Sequence, residues 1–291
     1  SEASNTPVML TVRIRACHVT GIFETSDNKR PPLSVREALA NPRKDFQRVV
    51  IPPWTYMHEK DKAEKRWPAA EKYIMEKKLN EVFGPDKADI GIVCQGGMYN
   101  GVVRALQRIG LADIYGNTEV PIYCLNVTYP LVEKEFLKFC EGKPSVLVVE
   151  EGAPEFIEQT LTTMVYRSDS KVQLFGRKYL PSVGELTGQV MLDSIVAYLK
   201  DAAPGMLPGK ARAPNTSDPD IPDLSKVVPV RPPSFCTGCP ERPIFAGIKL
   251  AQNELGEHQI SADIGCHLFA SLPPFEIGGS TMGYGLGPAA N

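Results

Sequence analysis

Between about Asp86 and Lys200 the chain alternates short, nearly unbroken apolar runs with longer helix-like stretches. The apolar runs are Ala88–Cys94, Val120–Leu125, Ser145–Val149 and Val172–Phe175. Strands covered on both faces lose the polar–apolar alternation of a half-exposed strand, so these runs are predicted as buried strands. The intervening stretches, Tyr99–Ile109, a segment closing at Cys140, Pro154–Val165 and Gly184–Leu199, are predicted as helices. Repeated strand–helix units with short connections imply a parallel sheet with helices on both faces, an α/β fold.

The flanks read differently. Residues Val8–Arg15 are β-branched and partly alternating, which predicts a strand at the very start of the chain with no earlier element to pair with. Asp27–Pro53 is a Pro- and Arg-rich connector, and Lys60–Val82 is predicted as an exposed helix. Within it, Trp67-Pro68 marks a start or a break, because proline is tolerated only in a helix's first turn. Eight prolines between Asp201 and Pro233 predict an extended linker. Beyond it, Pro240 and Pro243 bracket the start of a helix running to about Leu255, and His258–Ile264 is a strand entering Gly265-Cys266. The glycine-dense Ile277–Gly287 follows, as if a new α/β domain had just begun.

A length of 291 residues with 43% hydrophobic content suits one to two domains with at least one substantial core. A formal net charge of -2 gives no electrostatic case for nucleic acid, and the Lys/Arg-dense stretches Lys60–Arg66 and Lys72–Lys78 are interleaved with Glu. No apolar run approaches the roughly 18–20 residues that cross a bilayer, so a soluble, cytoplasmic, non-membrane protein is expected. Seven cysteines, an odd number irregularly spaced, argue against a disulfide framework.

Chemistry concentrates near the C-terminal end. Cys236 and Cys239 form a Cys-x-x-Cys pair, and Cys266 follows after 26 intervening residues. A tight turn aims both sulfurs to one side, and three thiols suit an iron–sulfur cluster or zinc, each needing about four ligands. His267 or His258 is a candidate fourth. The competing reading is a redox or accidental pair with Cys266 as a small buried residue. Gly265-Cys266 and Gly278–Gly285 are glycine-rich turns of the kind that let backbone approach phosphate oxygens, although neither matches a nucleotide fingerprint. Glu150-Glu151-Gly152 and Gln95-Gly96-Gly97 end apolar strands, where open parallel sheets place ligands. The two carboxylates suit general acid/base work or, more simply, the capping of the helix that follows. His18 is a lone candidate, and Cys17, Cys94, Cys124 and Cys140 read as packing residues.

Taken together, Ser234-Phe235-Cys236-Thr237-Gly238-Cys239-Pro240, Asp263-Ile264-Gly265-Cys266 and Thr281-Met282-Gly283 resemble the thiamine-diphosphate-dependent 2-oxoacid:ferredoxin oxidoreductases, in the form of the indolepyruvate:ferredoxin oxidoreductase large (alpha) subunit. The resemblance implies that 1–28 end a pyrimidine-binding-type domain, 29–85 connect, and 86–200 are a transketolase C-terminal-like domain. Residues 201–230 would then link to 231–291, the start of a pyrophosphate-binding-type domain. It also implies oxidative decarboxylation of an arylpyruvate with coenzyme A, in which the cofactor's thiazolium is the electron sink. The implied partners are a small (beta) subunit and ferredoxin, and the implied cofactors are thiamine diphosphate, Mg²⁺ and a [4Fe–4S] cluster.

By the same resemblance, Cys236, Cys239 and Cys266 hold the cluster, and Ile264, Gly265, Cys266, His267, Met282 and Gly283 lie at the thiamine diphosphate. The family's Gly-Asp-Gly…Asn element for Mg²⁺ and its activating glutamate are not found in this stretch, and Met282-Gly283-Tyr284 stands where some relatives carry His-Gly-Arg. The expectation is an internal fragment, lacking both ends and inactive alone. A different 2-oxoacid, a zinc-stapled α/β protein and a subunit-docking module are the alternatives.

Overall fold

The computed structural model describes residues 1–13, 20–22, 24–25, 27, 34–42, 48–207, 228–229, 234–283 and 285–286. The chain divides into two compact units, Ser1–Thr216 and Ser217–Asn291. The first contains helices α1 (Val35–Ala40), α2 (Trp54–Asp61) and α3 (Trp67–Glu76), then a five-stranded α/β sheet. Its strands are β1 (Glu81–Phe83), β2 (Ile90–Gln95), β3 (Ile122–Leu125), β4 (Ser145–Val149) and β5 (Gln173–Phe175). Helices α4 (Tyr99–Arg108), α5 (Glu133–Cys140), α6 (Phe156–Arg167) and α7 (Gly188–Ala202) alternate with them.

The strand order is β1-β3-β2-β4-β5, with β1 antiparallel to β3 and the other pairs parallel. The α/β parallel-sheet class read from the sequence is what the chain adopts. Side chains leave the central strands to alternate faces, and both faces are dry. Ile90, Ile92 and Cys94 of β2 and Leu147 and Val149 of β4 pack in one core with residues of α4 and α7. Val93, Val146 and Val148 point into the other with Phe136 and Phe139 of α5 and Leu161 of α6. Burial on two sides explains why these strands read as unbroken apolar runs.

Two departures from the sequence reading have physical causes. Residues 8–13 of the predicted strand Val8–Arg15 form no strand, and Val8, Met9, Leu10 and Val12 are exposed; among the described residues no strand pairs with them. The predicted helix Lys60–Val82 starts earlier, at Trp54, and stops at Glu76, and Val82 belongs to the edge strand β1. At Trp67-Pro68 a helix starts, as read: α3 opens at Trp67 with Pro68 in its first turn. Residues Lys62–Arg66 widen into a π turn, and the Trp67 N–H bonds back to the Lys62 carbonyl, five residues away. This accommodates a proline that has no N–H to give the preceding turn.

The second unit is small. Helix α8 (Arg242–Leu255) precedes a two-stranded parallel sheet of β6 (Ser261–Ala262) and β7 (Ser280–Thr281), with the short α9 (Cys266–Ala270) between them. The strand predicted over His258–Ile264 is thus confined to two residues. Phe245, Ala270 and Ile277 form the core, with Phe235, Ile248, Ile260 and Phe275 against it. Among the described residues no helix is long and apolar enough to cross a membrane.

Candidate cofactor site

The Cys236–Cys239 segment is a tight turn closed by the Cys239 N–H on the Cys236 carbonyl at 3.2 Å. Gly238 sits third in it with φ +74°, a conformation that favours glycine. The Arg242 guanidinium, at the start of α8, donates to the same Cys236 carbonyl. Phe235 anchors the turn, with its ring 5.4 Å from Phe245, 5.9 Å from Phe269 and 5.7 Å from Phe275. Phe269 belongs to α9, whose first residue is Cys266, so one aromatic cluster ties the Cys-x-x-Cys turn to the helix carrying the third thiol.

The Cys266 thiol is held above its usual range, first by desolvation and then by the negative charge of Glu241, Cys239 and Cys236. The three thiols and one carboxylate therefore share a neighbourhood. Cys236 and Cys266 are exposed and Cys239 is half-buried. Glu241 Oε2 is enclosed and has no hydrogen-bond partner among the described residues. Even so, among the described residues no three His, Cys, Asp or Glu side chains converge on a point that a metal ion could occupy. Neither histidine completes the set: the His267 ring stands edge-on to Phe245, at 5.7 Å and 89°, and His258 Nδ1 lies 3.1 Å from the Gly256 carbonyl. As placed here, the three thiols do not close on a common centre.

The two glycine motifs do meet. Parallel pairing of β6 with β7 brings the turn after Ala262 beside the one after Thr281, and the Met282 N–H bonds to the Ala262 carbonyl at 3.0 Å. The Asp263 carboxylate accepts the Ile264 N–H at 2.7 Å and, across the turns, the Gly285 N–H at 2.9 Å. A Cβ at Gly283 would stand 3.1 Å from Ile264 Cδ1, so glycine there permits the approach. Gly265 precedes α9 with φ +106° and nothing within 4 Å of where a Cβ would stand. Ile264, Gly265, Cys266, Met282 and Gly283 thus form one surface at the C-terminal ends of two parallel strands, with room over Gly265 for a phosphate oxygen. His267 follows on α9, with its ring turned to Phe245.

In the first unit, β2 lies between β3 and β4, so successive connections leave it in opposite directions. Open sheets of this order take ligands beyond the C-terminal ends of strands at that switch point. Gln95-Gly96-Gly97 and Glu150-Glu151-Gly152 sit there, but the position is filled from within the chain. The Glu150 carboxylate is buried and accepts N–H bonds from Ile157 at 2.9 and 3.0 Å and from Glu158 at 3.0 Å, in the first turn of α6. This is the capping role, not acid/base chemistry. Both Glu151 oxygens lie 2.8 Å from Arg13 Nη2, and one also accepts the Leu186 N–H at 2.7 Å. Arg13 Nη1 reaches the Gly97 carbonyl at 3.3 Å, and Gln95 Oε1 accepts the Glu151 N–H at 3.0 Å. Arg13 had no signature in the sequence.

Cys94, Cys124 and Cys140 are buried, as packing residues should be, whereas Cys17 and His18 lie outside the described residues. A cavity of about 610 Å³ beside Leu137, Lys143, Ser168 and Lys171 and one of about 360 Å³ beside Ser145, Gln173 and Tyr179 lie at the opposite end of β4 and β5 from the switch point. Neither includes a candidate residue.

Residues 80–198 match the indolepyruvate oxidoreductase domain. The whole chain aligns with indolepyruvate oxidoreductase subunit IorA of Methanothermobacter thermautotrophicus, 32% identical over 306 aligned positions that cover 44% of that protein. The IorA subunit of Thermococcus kodakarensis is 29% identical over 209 positions, 71% of this chain and 30% of that protein. The chain is therefore IorA-like, as its cysteine and glycine motifs implied, and it spans less than half the length of these relatives. Among solved structures, a 2-oxoglutarate:ferredoxin oxidoreductase from Magnetococcus marinus, with 2-oxoglutarate, coenzyme A and succinyl-CoA bound, aligns at 18% identity and a TM-score of 0.35. That alignment covers 50% of this chain and 23% of that one.

Proposed function

We propose that this chain is part of a thiamine-diphosphate-dependent oxidoreductase that decarboxylates arylpyruvates such as indolepyruvate oxidatively to aryl-acetyl-CoA and passes the electrons to ferredoxin. The observation that carries the reading is alignment of the whole chain, including both cysteine segments, with IorA. Bound thiamine diphosphate supplies the electron sink for decarboxylation. The part of this chain is positioning. The backbone of Ile264, Gly265, Cys266 and His267 faces the diphosphate, and Met282-Gly283 forms the adjoining wall. Residues 86–200 are the transketolase C-terminal-like domain, and 231–291 open the pyrophosphate-binding-type domain. Mg²⁺ is held by groups outside these residues. Cys236, Cys239 and Cys266 are the proposed [4Fe–4S] ligands in the whole protein. A small subunit, ferredoxin and coenzyme A are its proposed partners, and the cytoplasm its compartment.

The test is anaerobic co-purification of the full-length polypeptide with its small subunit. Ferredoxin reduction is then assayed with indolepyruvate, phenylpyruvate, pyruvate and 2-oxoglutarate in turn, each with coenzyme A, alongside iron, sulfide and zinc analysis. The expected result is aryl-2-oxoacid-dependent reduction, iron with sulfide, and no turnover by the 291-residue chain alone. Turnover by the isolated chain, or zinc without sulfide, contradicts the corresponding part.

A further inference from the structure

Cys94 of β2 and Cys124 of β3 are registered partners on adjacent parallel strands. The same cross-sheet row continues to Glu81 on β1 and Val149 on β4. Both thiols are free, belong to the same core and are buried, at 1% and 3% exposure. Neighbouring strands run about 4.7–4.9 Å apart. That falls inside the range of about 4.4–6.8 Å between Cα atoms over which a disulfide closes.

The pair is already chemically unequal. The Cys94 thiol is pushed up by its hydrogen bond with Cys124 and by burial, and the Cys124 thiol is lowered by the same bond against desolvation and the nearby Glu81. The Cys124 thiol donates to Asn126 Oδ1 at 3.5 Å. Asn126 is exposed, and its amide nitrogen bonds the Leu79 carbonyl at 2.9 Å and the Glu81 carboxylate at 2.8 Å. Cys124 thus hydrogen-bonds an exposed side chain. Cys140, the other buried thiol described in this unit, packs in the core on the opposite face of the sheet and is no competitor.

We propose that Cys94 and Cys124 are a redox-modification site, a dithiol that closes to a cross-strand disulfide between β2 and β3 on exposure to a low-molecular-weight disulfide. The Cys124 thiolate attacks the oxidant's S–S bond, forming a mixed disulfide and expelling one thiolate, which takes up the proton Cys124 gave to solvent. Cys94 then loses its proton, attacks the Cys124 sulfur and displaces the second thiol. Two protein thiols are oxidised and one oxidant disulfide is reduced to two thiols. The new bond ties together the strand ends that lead into Gln95–Gly97 and Asn126. These loops already touch, because a Cβ at Gly96 would lie 2.7 Å from Asn126 Oδ1. Oxidation thereby fixes the rim of the switch-point crevice that Arg13 fills.

The experiment treats the full chain with oxidised glutathione under native conditions, alkylates the remaining thiols and maps peptides by mass spectrometry. The expected product is a linked Cys94–Cys124 peptide pair about 2 Da lighter than the two thiol peptides together, reversed by dithiothreitol. A chain carrying Cys236→Ser, Cys239→Ser and Cys266→Ser forms the same link. Cys94→Ser stops it and leaves glutathione on Cys124. The proposal is overturned if the folded chain gives no linked pair, if linkage appears only in denaturant, or if Cys124 pairs with another cysteine.

Discussion

Replacing Glu150 separates a structural carboxylate from a catalytic one. Its two oxygens accept three N–H···O contacts from two donors at the start of α6, Ile157 at 2.9 and 3.0 Å and Glu158 at 3.0 Å. Glu150→Ala leaves both donors without that acceptor. A hydrogen bond to a charged group contributes about 1.5–3 kcal/mol, while helix-cap deletions cost about 0.5–2 kcal/mol once water and relaxation intervene. With Ile157 buried and Glu158 partly exposed, a loss of about 2–4 kcal/mol follows. For a unit of this size each kcal/mol moves Tm by about 2–4 °C, so Tm should fall by roughly 5–15 °C. Glu150→Gln keeps one acceptor oxygen and should cost about 1 kcal/mol. The assay is thermal unfolding followed by circular dichroism, paired with 2-oxoacid-dependent ferredoxin reduction by the full-length protein. The capping account predicts that Gln retains most of both stability and activity. A Glu150→Ala chain melting within about 1 °C of wild type, or a Gln variant that is fully stable yet inactive, would refute it.

Gly91→Ala should destabilise by about 1–3 kcal/mol through overpacking, because the added Cβ would meet Phe139 at 2.8 Å; urea unfolding reads this as a lower midpoint at unchanged slope. Arg13→Ala and Glu151→Ala should be non-additive, with a coupling of about 0.5–3 kcal/mol in a double-mutant cycle, whereas additive losses would mean that the 2.8 Å pair contributes nothing. The Tyr198 hydroxyl, bonded to Ser145 at 2.9 Å, is pushed up to about 12 by burial. Its contribution is complete below the unfolded tyrosine value of about 10 and is lost as pH rises from there towards 12. Tyr198→Phe should flatten that alkaline decline, and an unchanged slope would place its origin elsewhere.

What the sequence revealed tracks where burial leaves a pattern. Ser145–Val149 was legible to the residue because both of its faces are dry and every position had to be small or apolar. Strand β1 was not: Glu81-Val82-Phe83 is short, lies at the sheet edge, and follows a charged helix whose pattern absorbed it. Val8–Arg15 has strand composition, but among the described residues no strand pairs with residues 8–13, and β-propensity without a neighbouring strand makes no strand. In the site, spacing found Cys236, Cys239 and Cys266, and the structure supplies the cause of their proximity, the Phe235–Phe269 contact. Spacing could not show that the thiols stop short of a common centre. Nor could it find Arg13, whose partner lies 138 residues along the chain, a pairing no local pattern encodes.

In the proposed function, Ile264–His267 and Met282–Gly283 face the diphosphate of thiamine diphosphate. Calorimetric titration of thiamine diphosphate with Mg²⁺ into the full-length polypeptide, wild type against Gly265→Ala, tests it directly. Gly265 holds φ +106°, where a Cβ costs about 1–2 kcal/mol of backbone strain, and the space above it is the proposed seat of a phosphate oxygen. The wild type should bind and Gly265→Ala should lose at least roughly tenfold in affinity, equivalent to about 1.4 kcal/mol, with circular dichroism unchanged. Equal affinity in a folded variant, or no binding by the wild-type protein, would contradict it.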